Sequence, residues 1–501
     1  MVYYSSEMLV QQQSWWGESR SADGPLYADE VSYQAYYSEV GKAHYMGKDL
    51  TEVRSPQRKL VPDNVGLGQY EQTSLRGIAI KAKANGKYRF QDLYRCLNVS
   101  FLHICWKDLN KKAASGVDNV TAEAYEENLE ANIQALAERL KTNRYRAKLV
   151  RRCYIPKEDG RERPLGIPAL EDKLVQMACG KLLTAIFEAD FIDSSYGYRP
   201  YRRAKDAVDD LRFNLQFGKF GYIVESDIKG FFDHMDHEWL LKMLQERIDD
   251  AAFINLIRKW LKAGILDTDG KVIHPETGTP QGGIVSPVLA NVYLHYALDL
   301  WFEKVVKAHC KGDAMIMRYA DDFVCAFQYR KEAIKFFKVL PKRLGKFGLS
   351  VAPEKTGMMR FSRFHLSRRR RIIFLGFETF WTKDSKGLVR VMQRTARKKL
   401  QGACRRIKDW IKENRHLKGI KFITALNIRL RGHYNYYSVV GNSCSLWRFY
   451  NWAVACAFKW LNRRGGKRKS FTWISFSRAI ERLRLIKPKL PLSSKRHRVF
   501  S

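Results

Sequence analysis

Mid-chain, the pattern of apolar and polar positions in Tyr222-Ile223-Val224-Glu225-Ser226-Asp227-Ile228 reads as a short strand buried on one side and ending in an aspartate. A turn-and-helix stretch, Lys229 to Asp236, follows it. Further along, the apolar runs Ala314–Tyr319 and Phe323–Phe327 flank Ala320-Asp321-Asp322, which predicts a hairpin with acids at its tip. Upstream, the pattern is mostly helical from Tyr88 to Asn143, with a turn at Ser115-Gly116-Val117-Asp118 and a second helix from Thr121 to Leu140. A strand at Leu149–Ile155, a charged turn at Lys157–Arg163 and helices at Ala169–Ala189 and Arg202–Phe217 come next. Downstream, three basic amphipathic helices are predicted at Arg390–Glu413, Ile420–Tyr437 and Ser445–Asn462. Residues 1 to 65 lack periodicity and read as a poorly ordered or peripheral extension.

Composition narrows the class. At 501 residues and 45% hydrophobic, the chain predicts two or three units, each with its own core. No run of eighteen apolar residues and no secretory leader pattern is found, so a soluble intracellular protein without membrane contact is expected. Nine scattered cysteines without a CxxC pair point to buried reduced thiols rather than zinc or redox chemistry. The net charge of +37 calls for a polyanionic partner. From Arg360 to Ser501 there are 37 Lys or Arg against 5 Asp or Glu, so nearly all the excess is C-terminal. Trp410, Tyr434, Tyr436, Tyr437, Trp447, Trp452 and Trp460 interleave these charges and imply a folded nucleic-acid-binding surface.

Asp-Asp at a turn is by itself ordinary turn chemistry. Two strands that pair from distant parts of the chain, each with a carboxylate at its end, cluster hard oxygen ligands that suit Mg²⁺. A pair of such ions lowers the pKa of an attacking 3′-hydroxyl and stabilises a leaving pyrophosphate.

Three segments together carry a family resemblance. Arg318-Tyr319-Ala320-Asp321-Asp322-Phe323-Val324 resembles the Y-x-D-D hairpin of reverse transcriptases, and Asp227-Ile228-Lys229-Gly230-Phe231-Phe232-Asp233 resembles their first catalytic motif. Gly278-Thr279-Pro280-Gln281-Gly282-Gly283 is similar to their nucleotide-pocket loop. The resemblance implies that Asp227, Asp321 and Asp322 are catalytic and, with the Ile228 carbonyl, hold two Mg²⁺ ions. It implies Phe232 as the ring that excludes a ribose 2′-hydroxyl, with core packing the alternative for one of Phe231 and Phe232. It also implies Gln281 against the incoming nucleotide and Lys355, in Phe347-Gly348-Leu349-Ser350-Val351-Ala352-Pro353-Glu354-Lys355-Thr356, near its phosphates. Ile155–Pro168 resembles the fingers hairpin of group II intron reverse transcriptases, where Lys157 and Arg163 would clamp a triphosphate. The turn at Gly376, in Phe374-Leu375-Gly376-Phe377, would grip the primer strand.

Leu430-Arg431-Gly432-His433-Tyr434-Asn435-Tyr436-Tyr437 is similar to the maturase, or X, domain of group II intron-encoded proteins, and no His-Asn-His endonuclease pattern follows it. The implied fold is α+β: a right-hand polymerase whose fingers and palm (an antiparallel catalytic sheet flanked by helices) precede an all-helical thumb. The predicted divisions are 1–65, an extension; 66–215, N-terminal helices and fingers; 216–385, palm; 386–470, thumb and maturase domain; and 471–501, a basic tail. Arg390, Arg394, Arg397, Lys398, Arg429, Arg431, Tyr436, Arg463 and Arg464 are the nucleic-acid-binding candidates. The implied partners are intron RNA, template RNA, primer DNA, target DNA and dNTPs, in a bacterial cytoplasm in association with RNA or the nucleoid. A splicing-only maturase with a vestigial palm, or a domesticated relative in defence or repair, are the alternatives.

Overall fold

The computed structural model describes residues 69–156, 162–367, 369–384, 386–464 and 470–489. The predicted extension 1–65, the fingers residue Lys157 and the last residues of the basic tail lie outside them. Helices Gln69–Ala84, Val99–Asp108, Ala122–Glu126 and Leu129–Lys141 lead to β1 (Val150–Pro156) and β2 (Glu162–Ile167). Helices Leu170–Phe187 and Ala204–Phe217 precede β3 (Tyr222–Asp227). Helices His237–Gln245 and Ala251–Leu261, short strands β4 (Ile265–Leu266) and β5 (Val272–Ile273) and helix Ser286–Leu294 then lead to β6 (Ala314–Tyr319) and β7 (Asp322–Phe327). After helix Arg330–Gly345 come β8 (Gly357–Arg360), β9 (Ile372–Phe374), β10 (Phe377–Lys383) and β11 (Val389–Thr395). The chain closes with helices Arg397–Glu413, Gly419–Tyr437, Ser443–Leu461 and Trp473–Arg482. Among the described residues no helix is long and apolar enough to cross a membrane.

The architecture is α+β, with sheets ordered β2-β1-β4-β5, β6-β7-β3-β8 and β11-β10-β9. Side-chain alternation decides what each face of the central sheet touches. Val224, Ile316, Phe323, Cys325 and Phe327 join a core built with the N-terminal helices and helix Ser286–Leu294. Ile223, Met317, Val324 and Ala326 join a second core with helix Ala204–Phe217 and the C-terminal helices. The sheet is therefore covered on both sides, not one, and this is why its strands read as nearly unbroken apolar runs. Asp236, whose side chain accepts from Trp239 N, starts the helix that follows the first acidic strand.

Three expectations are corrected. Val389–Thr395 is a strand paired antiparallel with Phe377–Lys383, so the first basic helix begins at Arg397. The second core runs through the predicted palm–thumb boundary at 385, because Phe361, Phe374 and Trp381 pack with Ile407, Leu426 and Phe449. The segment after 470 is not simply a basic tail: Trp473–Arg482 is a helix that buries Phe476, and Leu485 follows it into the same core. None of the nine cysteines is placed in a disulfide, and Cys153 and Cys444 are exposed where buried thiols were expected.

Candidate active site

Antiparallel pairing of β3 with β7 sets Asp227 opposite Asp322, and β6 with β7 sets Tyr319 opposite Asp322. Ala320 and Asp321 are left as the two-residue turn. Ala320 adopts a left-handed φ of +55°, a conformation that costs a residue with a Cβ about 1 kcal/mol. The surroundings impose it. Arg318, fully buried, donates from Nη1 to Ala320 O (3.0 Å) and to Asn291 Oδ1 (3.1 Å). Its Nε and Nη2 grip both oxygens of Asp299, also fully buried, at 2.7 and 2.5 Å. Asn291 Nδ2 in turn donates to Gly197 O at 2.7 Å. Backbone bonds from Tyr196 N to Arg318 O and from Arg318 N to Ser194 O, both 2.9 Å, tie the loop before Gly197 to β6.

Gly197 is the tightest point of this brace, since a Cβ there would lie 2.3 Å from Ala320 N, against backbone that cannot rotate away. Gly197→Ala is expected to displace the acidic turn and slow single-turnover nucleotide incorporation by about 10- to 100-fold, the scale of an ångström-sized misplacement. Incorporation at the wild-type rate would show that the turn does not depend on this contact. Asp299, Asn291 and Gly197 were missed by sequence reasoning; the one available cue was an acid, Asp299, inside the apolar run from Val288 to Phe302.

Burial, then the charge of Asp227, pushes the Asp321 carboxyl up to about 6. Asp322 is raised well above the usual carboxylate range by burial and then by Asp227, Asp321 and Glu225. Lys355 Nζ sits on Asp227 Oδ2. Burial pulls its ammonium down, yet Asp227, with Asp321 and Asp322 behind it, leaves it raised. Ala352 N donates to Asp227 O and Lys229 N to Ser350 O, which leaves the buried Ile228 carbonyl out of that pairing. Among the described residues no three His, Cys, Asp or Glu side chains form a metal cage as they stand. The donor set at this sheet edge is nonetheless carboxylate oxygen, strained by like-charge repulsion that a hard cation would relieve.

Glu225, behind the acids on β3, is pushed up to about 7 from 4.5, chiefly by burial, while Ile373 N donates to its Oε1 at 2.7 Å. Between these values the folded protein keeps a proton that the unfolded chain releases, so stability falls as pH rises from 4.5 to 7 and stays low above. Glu225→Gln keeps the acceptor and should flatten that fall, which amounts to about 1–3 kcal/mol. Chemical unfolding in EDTA at pH 5 and pH 8 checks it; an equal pH effect in both proteins would exclude Glu225 as the source.

The residues expected to line a nucleotide pocket converge too. β1 and β2 pair Ile155 with Arg163, and Arg163 Nε donates to Gln281 Oε1 at 3.0 Å. Gly166 N donates to Gln281 O at 2.6 Å, and a Cβ at Gly282 (φ +118°) would lie 2.5 Å from Gly166 O. Thr279 N donates to Phe232 O at 2.8 Å. Fingers hairpin, loop and half-buried Phe232 thus form one connected wall, while Phe231 is the buried member of the pair.

The basic candidates divide. Arg390 and Arg394 lie on β11 and are held by acids of the fold, Arg390 by Asp384 (2.7 Å) and Arg394 by Glu378 (2.7 Å). Tyr436 stacks on Phe377 and donates to Leu375 O at 3.1 Å, bracing the turn at Gly376. These three have partners within the fold itself. Arg429 lies 3.9 Å over the Trp410 ring, and half-buried Arg464 donates to Leu417 O at 3.1 Å. Arg397, Lys398, Arg431 and Arg463 are exposed.

Comparison with known proteins agrees with the geometry. Residues 155–379 match the family "Reverse transcriptase (RNA-dependent DNA polymerase)". Over this segment the chain is similar to a protein encoded by a group II intron. It is 38% identical over 226 residues to the group II intron-encoded protein LtrA of Lactococcus lactis subsp. cremoris, covering 44% of this chain and 37% of that one. It is 36% identical over 203 residues to protein YkfC of Escherichia coli (strain K12), covering 40% and 52%. It is 31% identical over 215 residues to the putative COX1/OXI3 intron 1 protein of Saccharomyces cerevisiae, covering 43% and 25%. The matched segments span about half or less of these relatives.

Proposed function

We propose that this chain is an RNA-directed DNA polymerase encoded by a group II intron, which binds its intron RNA to assist splicing and copies it into cDNA at a DNA target. The observation that carries the reading is the meeting of Asp227 with Asp321 and Asp322 at one sheet edge, beside the Arg163–Gln281 contact. Asp227, Asp321 and the Ile228 carbonyl would hold two Mg²⁺ ions, which supply the Lewis acidity that activates a primer 3′-hydroxyl and neutralises the leaving pyrophosphate. Asp322, from the facing strand, completes the negative cluster.

The rest is work for the protein's own groups. An entering dNTP draws Arg163 from Gln281 onto its triphosphate in a bidentate contact, and Lys157 belongs to the same clamp. Gln281 is then free to line the base and sugar. Phe232 closes on C2′ and leaves no room for a hydroxyl. Lys355, released from Asp227, meets phosphate charge. The helices after 396 act as the thumb and maturase surface, with Arg397, Lys398, Arg431 and Arg463 on phosphates of template–primer or intron RNA. A protein acting on intron RNA and target DNA would work in the bacterial cytoplasm, in association with RNA or the nucleoid.

Primer extension on an RNA template with dNTPs and Mg²⁺ tests the reading. Extension is expected. A folded protein that binds intron RNA and extends nothing would move the assignment to a splicing-only maturase.

A further inference from the structure

We infer that Tyr198 is a second wall of the sugar pocket, a positioning residue that holds the Phe232 ring where it excludes a ribose 2′-hydroxyl. The inference rests on the polymerase reading above and on Phe232 as the excluding ring.

Phe232 is gripped by two rings. On the core side it meets Phe231 edge-on, centroids 5.4 Å apart at 64°, and Phe231 meets Tyr293 at 6.2 Å. The other ring is Tyr198, with centroids 6.4 Å apart at 72°. Core packing does not explain Tyr198, because it is 44% exposed and holds a left-handed φ of +57°. Its neighbours force that backbone. Gly197 is pressed against Ala320 N and anchored by Asn291. Arg199, buried, donates from Nη1 to Ile192 O (2.6 Å) and Ser195 O (2.8 Å), and its Nε and Nη2 reach Glu188. A bulky ring is thus projected from strained, fixed backbone onto the residue that reads the sugar. Backbone strain of this kind collects where a side chain must be aimed.

The same fixed backbone links the ring to the acidic turn through Gly197, so the Phe232 ring and the catalytic carboxylates share one support. Loss of the Tyr198 ring frees Phe232 to swing, and the pocket then admits a ribose more readily. The hydroxyl of Tyr198 plays no part, so Tyr198→Phe keeps the function.

The experiment compares kcat/KM for a dNTP with that for the matching rNTP, in wild type, Phe232→Ala, Tyr198→Ala, Tyr198→Phe and the double variant. The expected dNTP preference falls by roughly three- to tenfold in Tyr198→Ala, the scale of one aromatic pair. It stays at the wild-type level in Tyr198→Phe and drops no further in the double variant than in Phe232→Ala. Unchanged preference in Tyr198→Ala beside a collapsed one in Phe232→Ala overturns the role of Tyr198 while leaving the sugar-excluding role of Phe232 standing. Equal losses for both nucleotides in Tyr198→Ala, a merely structural effect, also overturn it. Unchanged preference in Phe232→Ala, or a wild type that incorporates neither nucleotide, defeats the reading on which the inference stands.

Discussion

Asp321→Asn should remove primer extension, by at least about 10³-fold, the scale on which a preorganised charge-stabilising group contributes, while making the protein no less stable. The two effects have one origin. The Asp321 carboxyl is pushed up to about 6 by burial and by Asp227, so the fold tolerates it best when protonated. Its folded pKa lies above the unfolded value of 3.8, and stability is therefore lost as pH rises between the two and stays lost above. At pH 8 and without divalent cation, an amide of the same shape relieves that repulsion, on the order of 1–3 kcal/mol. Thermal unfolding in EDTA at pH 8 should show a midpoint for Asp321→Asn at or above wild type. Primer extension in Mg²⁺ should show product only for wild type. RNA binding should remain, because the exposed residues proposed to contact phosphates, Arg397, Lys398, Arg431 and Arg463, are untouched. A variant that still extends would move catalysis away from this turn, and one that unfolds would make the activity loss uninformative about chemistry.

How far the sequence alone could be read depended on the range of the forces involved. β3, β6 and β7 were legible because a sheet covered on both faces forces apolar residues into adjacent positions and leaves Asp227, Asp321 and Asp322 as conspicuous polar ends. The Arg163–Gln281 approach was legible only through the resemblance, since the partners come from hairpin and loop 118 positions apart. β11 was misread because Val389–Thr395 carries arginines that run without a break into the basic helix at Arg397. Its valines and the acids awaiting its arginines, Asp384 and Glu378, were the competing cue. The bond from Tyr436 to Leu375 O left no trace, because an aromatic in a basic helix looks the same in sequence whether or not it braces a turn. Lys355 was placed near the phosphates but not on Asp227, because an ion pair across 128 positions leaves no periodic trace.

The least legible part, the pair Asp299–Arg318, is where the second large effect is expected. Both side chains are fully buried, and the guanidinium also holds Ala320 O and Asn291. Asp299→Ala leaves that cation without its carboxylate and should cost about 3–5 kcal/mol, seen as a lower midpoint in chemical unfolding together with loss of polymerisation. Loss of both in one variant would not separate folding from positioning. The double replacement Asp299→Leu with Arg318→Met does, since apolar groups of similar size often restore the stability that one missing ion partner removes. Stability should return towards wild type, but activity should not, because nothing then donates to Ala320 O and the left-handed turn that aims Asp321 loses its anchor. KM for dNTP should change little while kcat falls, the split expected when the proposed binding wall of Arg163, Gln281 and Phe232 is intact and only the reacting edge has moved. Recovery of kcat along with stability would show that the buried pair serves the fold alone.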